Sequence, residues 1–372
     1  MKVLVCIPCL LTGGTEIQTL SLVEALVGGG HEVVTLCYFE HSEQMEARYR
    51  NAGSKVVKLS PDGVRPNGIV SVLKLLFKGL RQALRSERPD VVHVQYMAPG
   101  AIPIILLRLL GAKRIIATAH TSADIYPSLR LLHVLQRRIK AFTCITELAE
   151  RSFFGSSQLY NIDTVLKKRG NHFTIYNNLP SYIALRTEPR EFNAANVTIG
   201  VVSRLELIKG MDLVVPAFEK IHTAYPSTRL LVVGDGGLRS DMERRVVDAG
   251  LSESVTFAGR QPQDVLQSYY DKIDILLMPS RSEGFGLTAV EGMARGCVVV
   301  ASVAGGLPEV VADGDAGLLH RIDDTDDMAA KVLSLLASPD DVPRYSQRAV
   351  HNAARFSAEN YNRLIANLYS KI

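Results

Sequence analysis

No stretch of the 372-residue sequence reaches the roughly 20 apolar residues that a membrane-spanning helix needs. The nearest, Ala101 to Ala112, is too short and holds Arg108. Met1 to Leu11 mimics a secretion signal, with Lys2 ahead of an apolar run. It lacks a small-residue cleavage site and leads into a strand–loop–helix pattern, so it reads as a first strand. Cysteines number only five, an odd and sparse set that argues against a disulfide framework and for a reducing cytoplasm. Cys6 and Cys9 have C-x-x-C spacing, but no second pair completes a zinc site, so both read as buried thiols. Internal repeats and low-complexity segments are also missing. So is a G-x-G-x-x-G loop followed by a ribose-binding acid, which sets aside a nicotinamide site. No nucleic-acid-binding module is recognisable, and nucleic acid is not an expected partner.

What is present is an alternating α/β chain long enough for two domains. Strands are expected over Val3–Ile7, His31–Leu36, Asp90–Gln95, Arg114–Ala119, Phe142–Thr146 and Phe173–Asn177. Five more follow: Val197–Val202, Leu230–Val233, Val255–Ala258, Ile275–Met278 and Cys297–Ala301. Ile17 to Leu26 and Leu73 to Ser86 have helical spacing. Ser181 to Asn196 is polar and aperiodic, and reads as the linker between domains spanning residues 1–180 and 181–357. From Asp323 the chain is helical to its end.

One stretch organises the rest. From Asp274 it reads DILLMPSRSEGFGLTAVEGMARGCVVVASVAGGLPEVV: buried strand, glycine-bearing turn, helix, buried strand. The first amides of such a helix lack intrahelical partners and carry the positive end of its dipole, so the unit suits a phosphate. Gly284 and Gly286 let that phosphate approach the backbone. Glu283 in the turn and Glu291 on the helix are poor phosphate ligands but good acceptors for hydroxyls. At about 100° and 1.5 Å per residue, Glu291 lies roughly 6 Å beyond Leu287, at the edge of the buried face. A ribose beside Glu291, a diphosphate at the helix start and a sugar beside Glu283 would fit. The same spacing also fits two solvated carboxylates on an ordinary α/β unit.

The run E-G-F-G-L-T-A-V-E, followed by A-x-G and a valine-rich strand, resembles the signature of the family 4 retaining glycosyltransferases. The resemblance extends over nearly the whole chain. It implies the GT-B fold: two facing Rossmann-like domains with parallel sheets and a cleft between them. It also implies a C-terminal helix, about 358–372, that packs back on the first domain. The implied donor is a nucleotide-diphosphate sugar, used without a metal and without a cofactor. The loop Thr12-Gly13-Gly14-Thr15 resembles the family's first loop, whose glycine pair approaches donor phosphate and acceptor. His120, after a strand in the first domain, matches a histidine that contacts the donor sugar; the alternative is a turn histidine. Arg204 and Lys209 match the cations of G-R-L-x-x-x-K-G, with Ser203 in place of the glycine. Such cations stabilise charge building on a departing diphosphate. Gly259-Arg260-Gln261 resembles the loop whose backbone meets the base. Asn178 stands where the family's crossover has glycine.

The catalytic set implied is therefore His120, Arg204, Lys209 and Glu283. Donor binding falls to Gly13, Gly14, Arg204, Lys209, Arg260, Gln261, Glu283, Gly284, Phe285, Gly286, Leu287, Thr288 and Glu291. Asp323 to Asp327 contains D-x-D, which binds metal in another glycosyltransferase fold. Here it precedes an apolar-periodic helix and reads as N-terminal helix charge.

Two alternatives stand beside the metal-independent hexosyltransferase. One is a nucleotide-sugar epimerase of the same architecture; the other is a non-catalytic nucleotide-sugar-binding partner. The net charge of +4 is unevenly split: residues 1–178 hold 22 Lys/Arg against 13 Asp/Glu, the remainder 20 against 25. Lys74, Lys78, Arg81 and Arg85, and Arg130, Arg137, Arg138 and Lys140, accompany apolar residues on amphipathic segments. That pattern points to an anionic membrane surface, hence to a cytoplasmic enzyme peripheral on the cytoplasmic membrane face. Its acceptor would be a lipid-linked saccharide in cell-surface polysaccharide or glycolipid synthesis; a solvated basic face is the other reading.

Overall fold

The computed structural model describes residues 1–96, 101–123, 129–188, 190, 192–193 and 195–372. It divides into two compact units: Met1–Asn178 with Ala358–Ile372, and Leu179–Ser357.

The first unit is a parallel sheet of seven strands: β1 (Lys2–Ile7), β2 (Glu32–Cys37), β3 (Lys55–Lys58), β4 (Val91–Tyr96), β5 (Ile115–Ala119), β6 (Ala141–Cys144) and β7 (Asn171–Thr174). Their order is β3-β2-β1-β4-β5-β6-β7. The inner strands are apolar on both faces, as a sheet covered by helices on both sides requires; Val3, Leu4, Val5, Cys6 and Ile7 are all fully buried. Helix Gly14–Gly28 follows β1, and helix Ile69–Glu87 turns Leu76, Leu80 and Ala83 into the core beside Val92 and Val94.

The last helix, Ala358–Ser370, belongs to this unit and packs on helix Gly14–Gly28. Tyr369 Oη lies 2.8 Å from His93 Nδ1, Tyr160 Oη donates to Asn367 Oδ1 at 2.7 Å, and Lys371 Nζ donates to the Ile162 and Thr164 carbonyls.

The second unit holds six parallel strands: β8 (Thr198–Val202), β9 (Arg229–Val233), β10 (Val255–Gly259), β11 (Ile275–Met278), β12 (Val298–Ser302) and β13 (Gly317–His320), ordered β10-β9-β8-β11-β12-β13. Ile275 aligns with Ile199 and with Val298 across the central strands. Both sheets reverse direction of growth at one place, between β1 and β4 and between β8 and β11. At such switch points, loops leaving the carboxyl ends of neighbouring strands part and leave a crevice.

β3 and β13 escape the sequence reading for one reason. Both are four-residue edge strands, β3 with a lysine at each end, and an edge strand need not be apolar on both faces. Among its described residues the polar stretch 181–196 has no helix or strand, yet it is fastened within the second unit. Arg190 bonds Asp274 Oδ1 and the carbonyls of Tyr270, Asp271 and Arg295. The Arg186 amide donates to the Ala294 carbonyl at 2.8 Å.

Candidate active site

In the second unit, residues 203–213 follow β8 and residues 279–286 follow β11, the strands flanking the switch point. Lys209 Nζ sits 2.7 Å from Glu283 Oε2, and Ser280 Oγ lies 3.5 Å from the same oxygen. Lys209 and Glu283 are 19% and 16% exposed, so the pair is partly shielded but still open to a ligand.

Arg281 holds the two loops together. Its Nη1 and Nη2 donate to the two Asp212 oxygens at 2.7 and 2.9 Å, and its Nε to Asp323 at 2.5 Å. Its amide donates to the Ile208 carbonyl at 2.9 Å. The guanidinium holds the Asp212 carboxyl below its ordinary range, mainly by hydrogen bonding. The glycine after Lys209 is a packing requirement. Gly210 has φ +66°, and a Cβ there would lie 2.0 Å from the Pro279 carbonyl oxygen.

Helix Leu287–Ala294 starts at Gly286, whose φ is +102°, and no side chain among the described residues caps it. The first amides of such a helix lack intrahelical partners, as an anion site needs. Gly284, Leu287 and Thr288 are half-buried beside it. Phe285 is buried and packs edge-on against Phe356, with centroids 5.5 Å apart, so it anchors the turn rather than lining open space.

Glu291 lies deeper than the edge position expected from helical periodicity, at 4% exposure. Tyr182 Oη donates to its Oε1 at 2.7 Å and Tyr270 Oη to its Oε2 at 2.5 Å. Burial raises its carboxyl pKa, and the two hydroxyls work against that rise. A carboxylate has about four acceptor positions, so two remain. Arg204 is largely exposed and pairs with Glu206 at 2.8 Å. Arg260 is exposed, and Gln261 Nε2 donates to the Ala258 carbonyl at 2.6 Å, bracing the loop at Gly259.

In the first unit, Gly13 and Gly14 begin the helix after β1. Gly13 is extended, so no backbone strain calls for glycine there. The constraint is Glu16, whose Oε2 would stand 2.6 Å from a Cβ at Gly13. Glu16 is 5% exposed, receives the Cys9 thiol at 3.0 Å, and has its pKa raised by burial. His120 follows β5, with Nε2 2.7 Å from Gln95 Oε1. His93 is wholly structural: Nδ1 meets Tyr369 Oη and Nε2 meets Thr118 Oγ1 at 2.6 Å.

Comparison with known proteins matches segments in both units. Residues 187–355 match the family described as Glycosyl transferases group 1, and residues 12–154 match Glycosyltransferase Family 4. The chain belongs to the family 4 glycosyltransferases. It is 28% identical over 366 residues to an uncharacterized glycosyltransferase of Methanocaldococcus jannaschii, covering 97% of this chain and 95% of the relative. It is 27% identical over 372 residues to phosphatidyl-myo-inositol mannosyltransferase of Mycolicibacterium smegmatis, covering 97% and 90%. Among solved structures, Anabaena HepE in complex with UDP and glucose superposes with a TM-score of 0.77 at 18% identity, covering all of both chains. That likeness carries the fold, which is GT-B.

In this family 4 glycosyltransferase the D-x-D stretch lies at the start of helix Thr325–Ala337. Asp324 accepts the Asp327 amide at 2.8 Å, and Asp327 accepts the Arg321 amide at 2.8 Å. Among the described residues no cluster of three His, Cys, Asp or Glu side chains is arranged to hold a metal ion. Sequence reading passed over several residues that shape the glycosyltransferase's sites. Arg281 and Asp212 are 69 residues apart, and Tyr182 and Glu291 109 apart. Only Glu16 had a usable signal, an acid three residues into a glycine-led helix.

Proposed function

We propose that this chain is a retaining, metal-independent hexosyltransferase that moves a sugar from a nucleotide-diphosphate sugar to a lipid-linked saccharide. The observation that carries this is the Lys209–Glu283 pair beside the uncapped start of helix Leu287–Ala294. A cation, a hydroxyl acceptor and free helix amides stand together where a sugar–diphosphate bond needs them. As that bond breaks, positive charge grows on the sugar ring and negative charge on the diphosphate. Lys209 and Arg204 stabilise the diphosphate, and Glu283 accepts from a sugar hydroxyl. The acceptor attacks on the face that the diphosphate leaves, and the leaving phosphate takes the acceptor's proton. Glu291, with two acceptor positions still open, receives the ribose hydroxyls.

A panel of UDP- and GDP-sugars, read by thermal shift and then by transfer to extracted lipid acceptors, tests the reading. One donor should raise Tm by mass action and give a glycosylated lipid in the presence of EDTA. Product without any acceptor would mark an epimerase. A shift with no product would mark a non-catalytic binder. Loss of activity in EDTA with recovery in Mn²⁺ would reopen the D-x-D stretch.

The membrane part of the proposal rests on helix Ile69–Glu87. Lys74, Lys78, Arg81 and Arg85 are exposed along it. Of the apolar residues beside them in the sequence, Leu76 turns inward and Phe77 outward. Ile69 and Val70, each 60% exposed, and Phe77 at 44% take the outer side. Leu131 and Val134 are exposed near Arg130, Arg137 and Arg138 in the same unit. Each basic residue near an anionic surface contributes about 1 kcal/mol. Co-sedimentation should therefore require anionic vesicles, weaken with salt, and fall when Lys74, Lys78, Arg81 and Arg85 become Gln. Failure to bind anionic vesicles at low salt would point to a soluble acceptor. No helix among the described residues is long and apolar enough to cross a membrane.

A further inference from the structure

The first unit encloses a small cavity, about 20 Å³ in volume, at the carboxyl ends of β4, β5 and β6. Its walls include Gln18, Leu22, Gln95, His120 and Tyr361. Gln95, from β4, is 3% exposed, and its side chain is used unequally. Oε1 lies 2.7 Å from His120 Nε2, whereas Nε2 of Gln95 is buried and has no partner among the described residues. An unpaired buried donor carries a free-energy cost, and the same cavity accepts Leu22 and Ile365 in its walls. Retaining an amide here makes sense through its oxygen, because that is the atom that engages His120.

A neutral imidazole has one donor and one acceptor nitrogen, and the partner of one nitrogen decides the state of the other. A carbonyl oxygen only accepts, so Nε2 of His120 carries the hydrogen and Nδ1 carries the lone pair. Among the described residues, the titratable groups lining the cavity beside His120 are His93 from β4 and Tyr361 from the last helix, with no carboxylate or lysine. Neither stabilises an imidazolium. Burial pushes His120 down to about 4 and His93 down to about 3, and it raises the Tyr361 phenol. His120 is therefore neutral across the range in which a cytoplasmic enzyme works.

We propose that Gln95 is a positioning residue: its amide oxygen takes the Nε2 hydrogen of His120 and leaves Nδ1 bare as the acceptor for a substrate hydroxyl. The proposal rests on the sugar-transfer reading above, and adds the direction of the hydrogen bond and the residue that sets it. His120 so held accepts from a hydroxyl and cannot donate to it.

The test is ¹⁵N and ¹H NMR of the His120 imidazole in the full chain, with Gln95→Glu and Gln95→Met as variants. Wild type should show the Nε2–H tautomer with no titration above pH 5. Gln95→Glu places a carboxylate against that N–H, which stabilises the imidazolium and moves the titration up towards neutrality. kcat for the donor picked out by the panel should then acquire an acidic limb at the same pH. Gln95→Met should give mixed tautomers and a lower kcat without that limb. An Nδ1–H tautomer in wild type overturns the proposal whether or not the variants fold. So does a His120 titration that Gln95→Glu leaves unmoved. Intact turnover in His120→Ala overturns it through its substrate half. Failure of wild type to transfer any sugar, with the tautomer as stated, is instead the failure of the sugar-transfer reading.

Discussion

Lys209→Ala lowers kcat at least ~10²-fold, the scale for losing one preorganised charge-stabilising group. Lys209 is 19% exposed, so the substitution removes some packing of its stem as well as the ion pair with Glu283. It also leaves the Glu283 carboxylate beside the place proposed for a diphosphate, with Ser280 Oγ at 3.5 Å as its remaining partner among the described residues. Donor affinity should therefore fall along with kcat, because an unbalanced negative charge then faces the phosphates. Far-UV circular dichroism should stay as in wild type, since Arg281 still joins the loops through Asp212 and the Ile208 carbonyl. The double variant Lys209→Ala/Glu283→Gln separates the two effects: part of the lost affinity should return while kcat stays low. Near-normal turnover in Lys209→Ala would remove the residue from the mechanism.

Glu291→Gln weakens UDP or GDP alone by roughly tenfold or more, since a hydrogen bond to a charged group is worth ~1.5–3 kcal/mol and 1.4 kcal/mol is a factor of ten. The amide keeps one acceptor and turns a donor towards Tyr182 or Tyr270, whose hydroxyls now donate to the carboxylate. Glu283→Gln should leave the bare nucleotide bound as before and weaken only the sugar-bearing donor. Calorimetric titration of each variant with nucleotide and with nucleotide sugar reads the difference. Equal losses for both ligands in both variants would contradict the division of labour.

Much of the second unit is legible in the chain. β11 lies over Ile275–Met278, the span its apolar run gives, and the helix from Leu287 ends before Gly296, whose φ is +80°. These are local patterns: a strand buried on both faces must be apolar throughout, and a left-handed residue ending a helix is most often glycine. The short strands β3 and β13 are less visible because edge position relaxes that demand. The same limit governs helix Ile69–Glu87, where periodicity marks the helix but leaves open whether Leu76 or Phe77 faces the core.

By itself, then, the sequence determined the kind and order of most elements and the strand–turn–helix units on which the candidate site residues stand. Spacing along one helix or one turn carries that information. Tertiary structure alone decided what those residues touch. It paired Lys209 with Glu283, which are 74 residues apart, and buried Glu291 under two tyrosines. It gave His120 to Gln95. Each of these contacts joins side chains from different elements of the chain, and their distances are fixed by strand order and by close approaches such as Gly210 against Pro279, which no local periodicity encodes.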